Sequence, residues 1–164
     1  MPIFQSVLNN AWVRRTQRGI SSRRTNQPTA FLSHSHKDSS LALGLQQMLN
    51  EQGWDIYIDW QDLTMPAEPD EQTATRIKRA IEISDWFLFL ATDNSMSSRW
   101  CPWEIGYADG TKQISRIAII PTIDASGRYH GNEYLKLYPR IEEASSGGLA
   151  LFPVTGNGRW IRTL

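Results

Sequence analysis

From residue 29 onward, short apolar runs alternate with segments of helical periodicity. Five runs have the length and composition of strands: residues 30–33, 54–59, 86–91, 117–120 and 149–152. Three segments between them carry apolar residues at helical spacing: residues 39–52, residues 71–84 and a stretch that includes Glu104 and Ala108. This alternation predicts an α/β domain, in which a parallel sheet is flanked by helices.

Local signals predict where these elements begin and end. The first helix is expected to start near Asp38 and to end at Gly53, and Pro121 is expected to stop the fourth strand. Residues 60–70 contain Pro66 and Pro69, which do not suit a helix interior. They predict a loop longer than the two to six residues that are usual between a strand and a helix.

Three polar segments follow three of the predicted strands, at residues 33–38, 59–70 and 92–104. In an open parallel sheet, the loops after the strands meet at the carboxyl-terminal edge, where ligands bind. Topology therefore predicts that six residues distant in sequence converge there: His34, Asp38, Asp59, Asp62, Trp100 and Glu104.

Composition bounds the size and setting of the domain. The chain has 164 residues, of which 40% are hydrophobic, enough for one folded domain with or without an extension. It contains no apolar run of the roughly 20 residues that a membrane helix needs, and no pattern of a secretory signal. A single cysteine, Cys101, excludes an internal disulfide framework. We expect a cytoplasmic protein without a membrane partner.

Charge is distributed unevenly, although the formal net charge is zero. Residues 1–28 contain five of the 17 basic residues and no acidic one, and the remainder holds the other twelve with all 17 acidic residues. We interpret residues 1–28 as a basic N-terminal extension that packs on the acidic domain, residues 29–164, or on a second copy. Nucleic-acid or lipid binding, or an organelle transit peptide, are the alternatives. The acidic domain gives no indication of a nucleic-acid partner.

Several kinds of chemistry fit the predicted edge poorly. A serine hydrolase built on Ser33 or Ser35 with a neighbouring histidine would lack a nucleophile elbow. His34, His36 and Cys101 could ligate a metal, but no carboxylate cluster or paired-cysteine spacing supports such a site. Phosphate binding by a glycine-rich loop is not indicated either, because no such loop follows the first strand.

Glu104 is the candidate that remains, because Trp100 and Trp103 crowd its carboxylate with apolar surface. Such crowding raises a carboxyl pKa. If Pro102 is the first helical residue, however, Glu104 lies at the third, where the helix dipole would keep it ionised. A structural role is the alternative: Glu104 would close a capping box, and the tryptophans would only pack.

Four motifs together resemble a bacterial TIR (Toll/interleukin-1 receptor) domain. They are Ala-Phe-Leu-Ser-His-Ser-His-Lys-Asp at 30–38, Ile-Asp-Trp-Gln-Asp-Leu at 58–63, Ala-Ile-Glu-Ile-Ser-Asp at 80–85 and Ser-Arg-Trp-Cys-Pro-Trp-Glu at 98–104. The resemblance covers about residues 29–122, with the motifs in the family's order. It implies a doubly wound, flavodoxin-like sheet of about five parallel strands.

The resemblance also implies cleavage of the bond between nicotinamide and ribose in NAD. Enzymatic members use the glutamate of a Trp-x-x-x-Glu motif, which is matched by Trp100 and Glu104. NAD would then be a substrate, with neither a cofactor nor a metal. Four further residues are carried over as lining the substrate site: Ser33, His34, Asp59 and Asp62. A single carboxylate suits this reaction because nicotinamide departs as a neutral molecule and needs no acid.

The remaining implications concern product, assembly and biological role. Water would give ADP-ribose, and capture within the substrate would give a cyclic ADP-ribose messenger that acts on an effector protein, in antiviral defence. The loop from Asp62 to Asp70 would close the site and contact another TIR domain, so that a homo-oligomer is expected. Pro66 and Pro69 depart from the glycine frequent in that loop. A non-enzymatic TIR adaptor is the alternative function.

Overall fold

The computed structural model describes residues 1–18, 27–59 and 71–164 of the chain. The helices are α1 (Gln5–Arg18), α2 (Ser39–Glu51), α3 (Glu71–Ile83), α4 (Asp93–Met96) and α5 (Cys101–Thr111). The strands are β1 (Ile3–Phe4), β2 (Thr29–Ser33), β3 (Asp55–Tyr57), β4 (Trp86–Ala91), β5 (Ile117–Ile123), β6 (Tyr129–His130), β7 (Arg140–Glu143), β8 (Leu149–Phe152) and β9 (Arg159–Trp160). The predicted loop containing Asp62, Pro66 and Pro69 lies outside the described residues.

The sheet is doubly wound and mainly parallel. Its strands lie in the order β3-β2-β4-β5-β7-β8-β9, and every neighbouring pair from β3 to β7 is parallel. Renumbered along the chain, the five parallel strands have the order 2-1-3-4-5, which is the flavodoxin-like order. The predicted fold class is therefore confirmed.

The two faces of the sheet are covered by different helices. Alternate residues of β2 and β4 point to opposite sides, so that Leu32 and Leu88 pack in the core beneath α2. Phe31 and Phe87 pack on the other side, against Ile81 of α3 and residues of α5. This two-sided burial explains why β4 is apolar at every position.

The fifth parallel strand is not the one predicted. Residues 149–152 do form a strand, β8, but it is antiparallel to its neighbour β7. The parallel fifth strand is β7, with the sequence Arg-Ile-Glu-Glu, in which only Ile141 is fully buried. A strand with one buried position lacks the alternation by which strands are recognised in a sequence.

The prediction that Pro121 ends the fourth strand is also wrong. Strand β5 continues to Ile123. Its pairing with β4 ends earlier, at the pair formed by Ala91 and Pro121. Two other strands pair with the last residues of β5, since β1 and β6 both pair with Thr122 and Ile123. A proline without an N–H is tolerated where a strand changes partners.

The first 14 residues pack into this domain. Ile3 and Leu8 are fully buried within the core that also contains β2 and α2, and the Met1 ammonium bonds to the Glu143 carbonyl at 2.6 Å. The domain boundary predicted at residue 28 stays a prediction. None of the described helices combines the length and the apolar composition that crossing a membrane requires.

Candidate active site

Glu104 lies on the buried face of α5, beside the carboxyl-terminal end of β2. The buried residues of this helix are Cys101, Glu104, Ile105 and Ala108, which follow the spacing of one helical face. Glu104 is the only charged member of that set, and only 4% of its surface is exposed. The burial pattern of the helix thus places a carboxylate at a core position.

Ser33, the last residue of β2, contacts this carboxylate directly. Its hydroxyl donates a hydrogen bond of 2.5 Å to Oε2 of Glu104, and both side chains are buried. The bond joins β2 to α5 at the point where β3 and β4 flank β2 on its two sides, the topological switch point of the sheet. Ligands of doubly wound folds bind in the crevice at this point.

The structure answers the question that the sequence left open about Glu104. Burial raises its pKa to about 8, the Ser33 hydrogen bond opposes that rise, and the charge of Asp59 adds to it. Trp100 precedes the helix as its N-cap, so that Glu104 lies at the fourth helical position instead of the third. The N-cap makes no side-chain hydrogen bond, and Glu104 bonds to Ser33, so it does not close a capping box.

Ser98, which precedes α5, bonds to the backbone at the start of that helix. The Ser98 hydroxyl accepts hydrogen bonds from the backbone N–H groups of Trp100 and Cys101, at 3.2 and 3.3 Å. These contacts satisfy donors that a helix start otherwise leaves open. They fix the first turn of α5, and with it the position of Glu104 one turn further on.

The two histidines after β2 have different environments. His34 is buried, its Nδ1 lies 3.0 Å from the Leu32 carbonyl oxygen, and burial lowers its pKa against the opposing effects of that carbonyl and Asp59. His36 is exposed, and its Nε2 lies 3.8 Å from the Asp59 carboxylate. Asp59 thus links both histidines electrostatically to the Glu104 site.

The structure brings together four of the predicted site residues: Ser33, His34, Asp59 and Glu104. Trp100 lies one helical turn before Glu104, is partly buried, and meets the Trp103 ring edge-on at 5.3 Å. Asp62 lies outside the described residues. Asp38, also predicted at this edge, is buried and accepts hydrogen bonds from Thr92 and Asn94, which makes it a link between loops.

Sequence reasoning treated Cys101 only as a possible metal ligand and did not identify Tyr134. The Cys101 thiol lies near Ser98, Ser33 and Glu104, and burial raises its pKa to about 12, which keeps it protonated. The Tyr134 ring packs against the same core, and its buried hydroxyl has no hydrogen-bond partner among the described residues. The segment around Tyr134 gave no regular pattern that could have indicated this.

Within residues 1–18, 27–59 and 71–164, no three His, Cys, Asp or Glu side chains are arranged to hold a metal ion. The site as described is one buried carboxylate with a hydroxyl donor, a buried imidazole and the partly buried Trp100 one helical turn away. Such a carboxylate can stabilise an adjacent positive charge and can exchange a proton near pH 8.

Two known proteins are similar to this chain. A Bacillus cereus protein named "Probable 3' cyclic ADP-D-ribose synthase ThsB'" is 35% identical over 119 residues, which cover 70% of this chain and 61% of that protein. A Cytobacillus dafuensis protein named for cyclic ADP-D-ribose synthesis, TIR2, is 36% identical over 81 residues, which cover 48% of this chain and 21% of that protein. Both names give the activity as an inferred one.

The family match covers the elements that build the site. The profile described as TIR domain matches residues 30–143, a segment that includes Ser33, Asp59 and Glu104 and all five parallel strands. More than half of the chain lies within this match. The chain therefore belongs to the TIR domain family.

Proposed function

We propose that this chain cleaves the nicotinamide–ribose bond of NAD and releases nicotinamide with a cyclic ADP-ribose product. One observation carries the proposal: Glu104, the glutamate of the Trp-x-x-x-Glu motif, is buried at the topological switch point and hydrogen-bonded to Ser33. The names of the two relatives support cyclisation over hydrolysis. The chain spans 61% and 21% of their lengths.

In the first step, the bond between C1 of the ribose and the nicotinamide nitrogen breaks. Both electrons of the bond leave with nicotinamide, which departs neutral, and the ribose becomes an oxocarbenium-like cation. The Glu104 carboxylate stabilises this cation from a site with little water, where electrostatic effects are strong. The Ser33 hydroxyl holds the carboxylate in position by its hydrogen bond to Oε2.

In the second step, a nucleophile within the same molecule captures the cation. If a ribose hydroxyl attacks C1, the new C–O bond closes the ring and the hydroxyl proton is released. Glu104 is suited to accept this proton because its pKa is about 8. Attack by water in place of the hydroxyl gives ADP-ribose, and Glu104 again accepts the released proton.

Trp100 lies one helical turn before Glu104, with Trp103 beside it. The Trp100 and Trp103 rings meet edge-on, and 36% of Trp103 is exposed. We assign Trp100 the role of a stacking wall for the substrate, with His34 and Asp59 lining the opposite side and Asp62 contributing from the loop. A partly buried indole offers a flat apolar surface at low entropic cost.

The proposal extends to the setting of the reaction. The enzyme would work in the bacterial cytoplasm as a homo-oligomer formed through TIR–TIR contacts, and its product would act on an effector protein in antiviral defence. The family resemblance and the names of the relatives support this part.

Chromatography of NAD reactions tests the proposal. Purified protein at high concentration should consume NAD and yield one nicotinamide for each NAD, with a cyclic product that lacks the reducing end of ADP-ribose. Glu104→Gln should lower the rate at least about a hundredfold, as loss of a main transition-state contact does. Glu82→Gln, on α3, is the control and should retain full activity.

Turnover that survives Glu104→Gln would contradict the role of the carboxylate. If ADP-ribose were the dominant product, the proposed activity would be that of a hydrolase and not of a cyclase. A folded, concentrated protein that leaves NAD intact would favour the adaptor function instead.

A further inference from the structure

A cavity lies at the amino-terminal edge of the sheet, opposite the candidate active site. It is bordered by Trp86, the first residue of β4, by Arg116, just before β5, and by Pro139, just before β7. β8 runs antiparallel, so that its last residues and the first residue of β9 lie at this same edge. The length of β4, about 20 Å at about 3.3 Å per residue, separates the cavity from Glu104.

The cavity has the size and lining of a small-molecule site. Its volume is about 350 Å³, within the range of about 300 to 1,000 Å³ that is usual for ligand pockets. Leu151, Pro139 and Pro153 give it apolar walls, and Trp86, of which 3% is exposed, also lines it. A mainly apolar wall with a few polar groups is the composition of pockets that bind organic ligands.

Positive charge dominates the polar part of the lining. Arg116 and Arg159 are both present, and of the described residues that line the cavity none has an acidic side chain. Neither arginine forms an ion pair with a carboxylate among the residues that the structure describes. Arginine binds phosphate and carboxylate groups through paired hydrogen bonds, so this cavity favours an anion.

Trp86 and Arg116 form a preorganised pair. The guanidinium carbon of Arg116 lies 4.9 Å from the centre of the Trp86 ring, which is a cation–π contact. This contact restricts the arginine side chain, and the N–H groups, which point outward in the guanidinium plane, can still donate hydrogen bonds. The Trp86 side chain also has a buried Nε1–H with no acceptor among the described residues. A native structure ordinarily satisfies such a donor.

We propose that this cavity is a second ligand site and that it binds a nucleoside phosphate. The apolar walls accept the flat base and the two arginines accept the phosphate. Because the site lies at the opposite edge from Glu104, it binds its ligand independently of the reaction at the active site.

Nuclear magnetic resonance titration with AMP tests the proposal at the site itself. The indole N–H signal of Trp86, assigned by its loss in Trp86→Phe, should shift saturably as AMP is added. Arg116→Gln and Arg159→Gln should each weaken this binding about tenfold, the loss of about one charge-assisted hydrogen bond. Adenosine and inorganic phosphate should each bind at least about tenfold more weakly than AMP.

Arg162→Gln is the matched control. Arg162 also lies over a tryptophan, 5.2 Å from the Trp160 ring centre, but it does not line the cavity. The same loss of charge at Arg162 should leave AMP affinity unchanged, and dispersed spectra of each variant verify folding.

An indole signal that does not move with AMP would overturn the site. Equal AMP affinity in wild type, Arg116→Gln and Arg159→Gln would do the same, and phosphate bound as tightly as AMP would overturn the nucleoside part. None of these readouts depends on NAD cleavage, so failure of the proposed function is recognised separately, by intact NAD.

Discussion

Glu104 occupies a helix position that would ordinarily hold an apolar side chain. Its neighbours on the same face of α5, Cys101 and Ile105, are buried in the core, and its own carboxylate is buried with them. Burial disfavours the charged form, whereas the Ser33 hydrogen bond favours it, and the net effect is a pKa of about 8. A carboxyl group that titrates near neutral pH is a mark of functional sites.

This balance predicts how activity responds to pH. If the ionised carboxylate is the active form, kcat/KM for NAD cleavage should rise with pH and level off above about 8. Ser33→Ala removes the hydrogen bond that lowers the pKa of Glu104. The midpoint of the pH profile should therefore move to higher pH, and the maximum kcat/KM should fall. Rates measured across the pH range give both effects.

A control serine separates this role from simple packing. Ser84, the residue after α3, is buried and donates to the Ala80 carbonyl of that helix, so Ser84→Ala removes a buried hydroxyl elsewhere. It should leave the midpoint unchanged. A Ser33→Ala profile with an unshifted midpoint would show that Ser33 does not influence the titration of Glu104.

The same pKa predicts how stability depends on pH. The folded-state pKa of Glu104, about 8, lies above its ordinary value of 4.5, so the unfolded chain ionises first as pH rises. The stability that Glu104 contributes to the folded state is fully present below about pH 4.5 and is lost as the pH rises through about 8. Full loss corresponds to on the order of 3 to 5 kcal/mol in the free energy of unfolding.

Glu104→Gln removes this titration while keeping the shape of the side chain. Urea unfolding at about pH 5 should show similar stability for wild type and variant, and at about pH 9 the variant should be the more stable. A difference in stability that stays constant with pH would contradict the raised pKa.

At the scale of elements, α1 and α2 approach each other closely at Gly44. A Cβ atom added to Gly44 would lie 1.9 Å from the Leu8 carbonyl oxygen, which is a backbone atom of α1. A glycine permits this contact, and any larger residue would push the two helices apart. Gly44 therefore fixes how the N-terminal helix lies on the domain.

Gly44→Ala is expected to destabilise the protein by about 2 kcal/mol or more, because the clash involves backbone and cannot relax by side-chain rotation. Gly106→Ala in α5 is the matched control, since nothing lies within 4 Å of its added Cβ. That change should be neutral or stabilise by up to about 1 kcal/mol, as alanine favours helix. Urea unfolding of both variants measures the difference, and equal effects would contradict the close contact.

At the scale of the whole molecule, the N-terminal segment completes the fold. β1 pairs with β5 beyond Pro121, and three side chains of the segment, Ile3, Leu8 and Ala11, are fully buried. Burying a large apolar side chain stabilises a fold by about 1.5 to 3 kcal/mol. Two such side chains supply a large share of a typical total stability of about 5 to 15 kcal/mol.

Deletion of residues 1–18 is therefore expected to unfold the domain or to lower its unfolding midpoint sharply in urea. Leu8→Ala tests the same contact more gently and should cost about 2 to 5 kcal/mol. Val13→Ala, at a side chain that is 47% exposed, should cost much less. A deletion that keeps the wild-type midpoint would show that the segment is dispensable.

The main α/β architecture and the candidate catalytic residue could be predicted from the sequence alone. Strand β4 and helices α2 and α3 lie within one or two residues of their predicted bounds, because two-sided burial and helical spacing leave clear periodic patterns. The motifs identified Glu104, Ser33, His34, Asp59 and Trp100, since local sequence carries side-chain chemistry directly. The roles of these five residues and of Asp62 stay predictions.

Three features depend on contacts between distant parts of the chain: the identity of the fifth strand, the length of β5 and the pKa of Glu104. β7 and the end of β5 exist because distant strands pair with them, and backbone pairing leaves little trace in side-chain pattern. The pKa of Glu104 depends on its burial and on Ser33, 71 residues away in the chain. Such a balance between desolvation and one hydrogen bond is set by three-dimensional proximity, which sequence order does not specify.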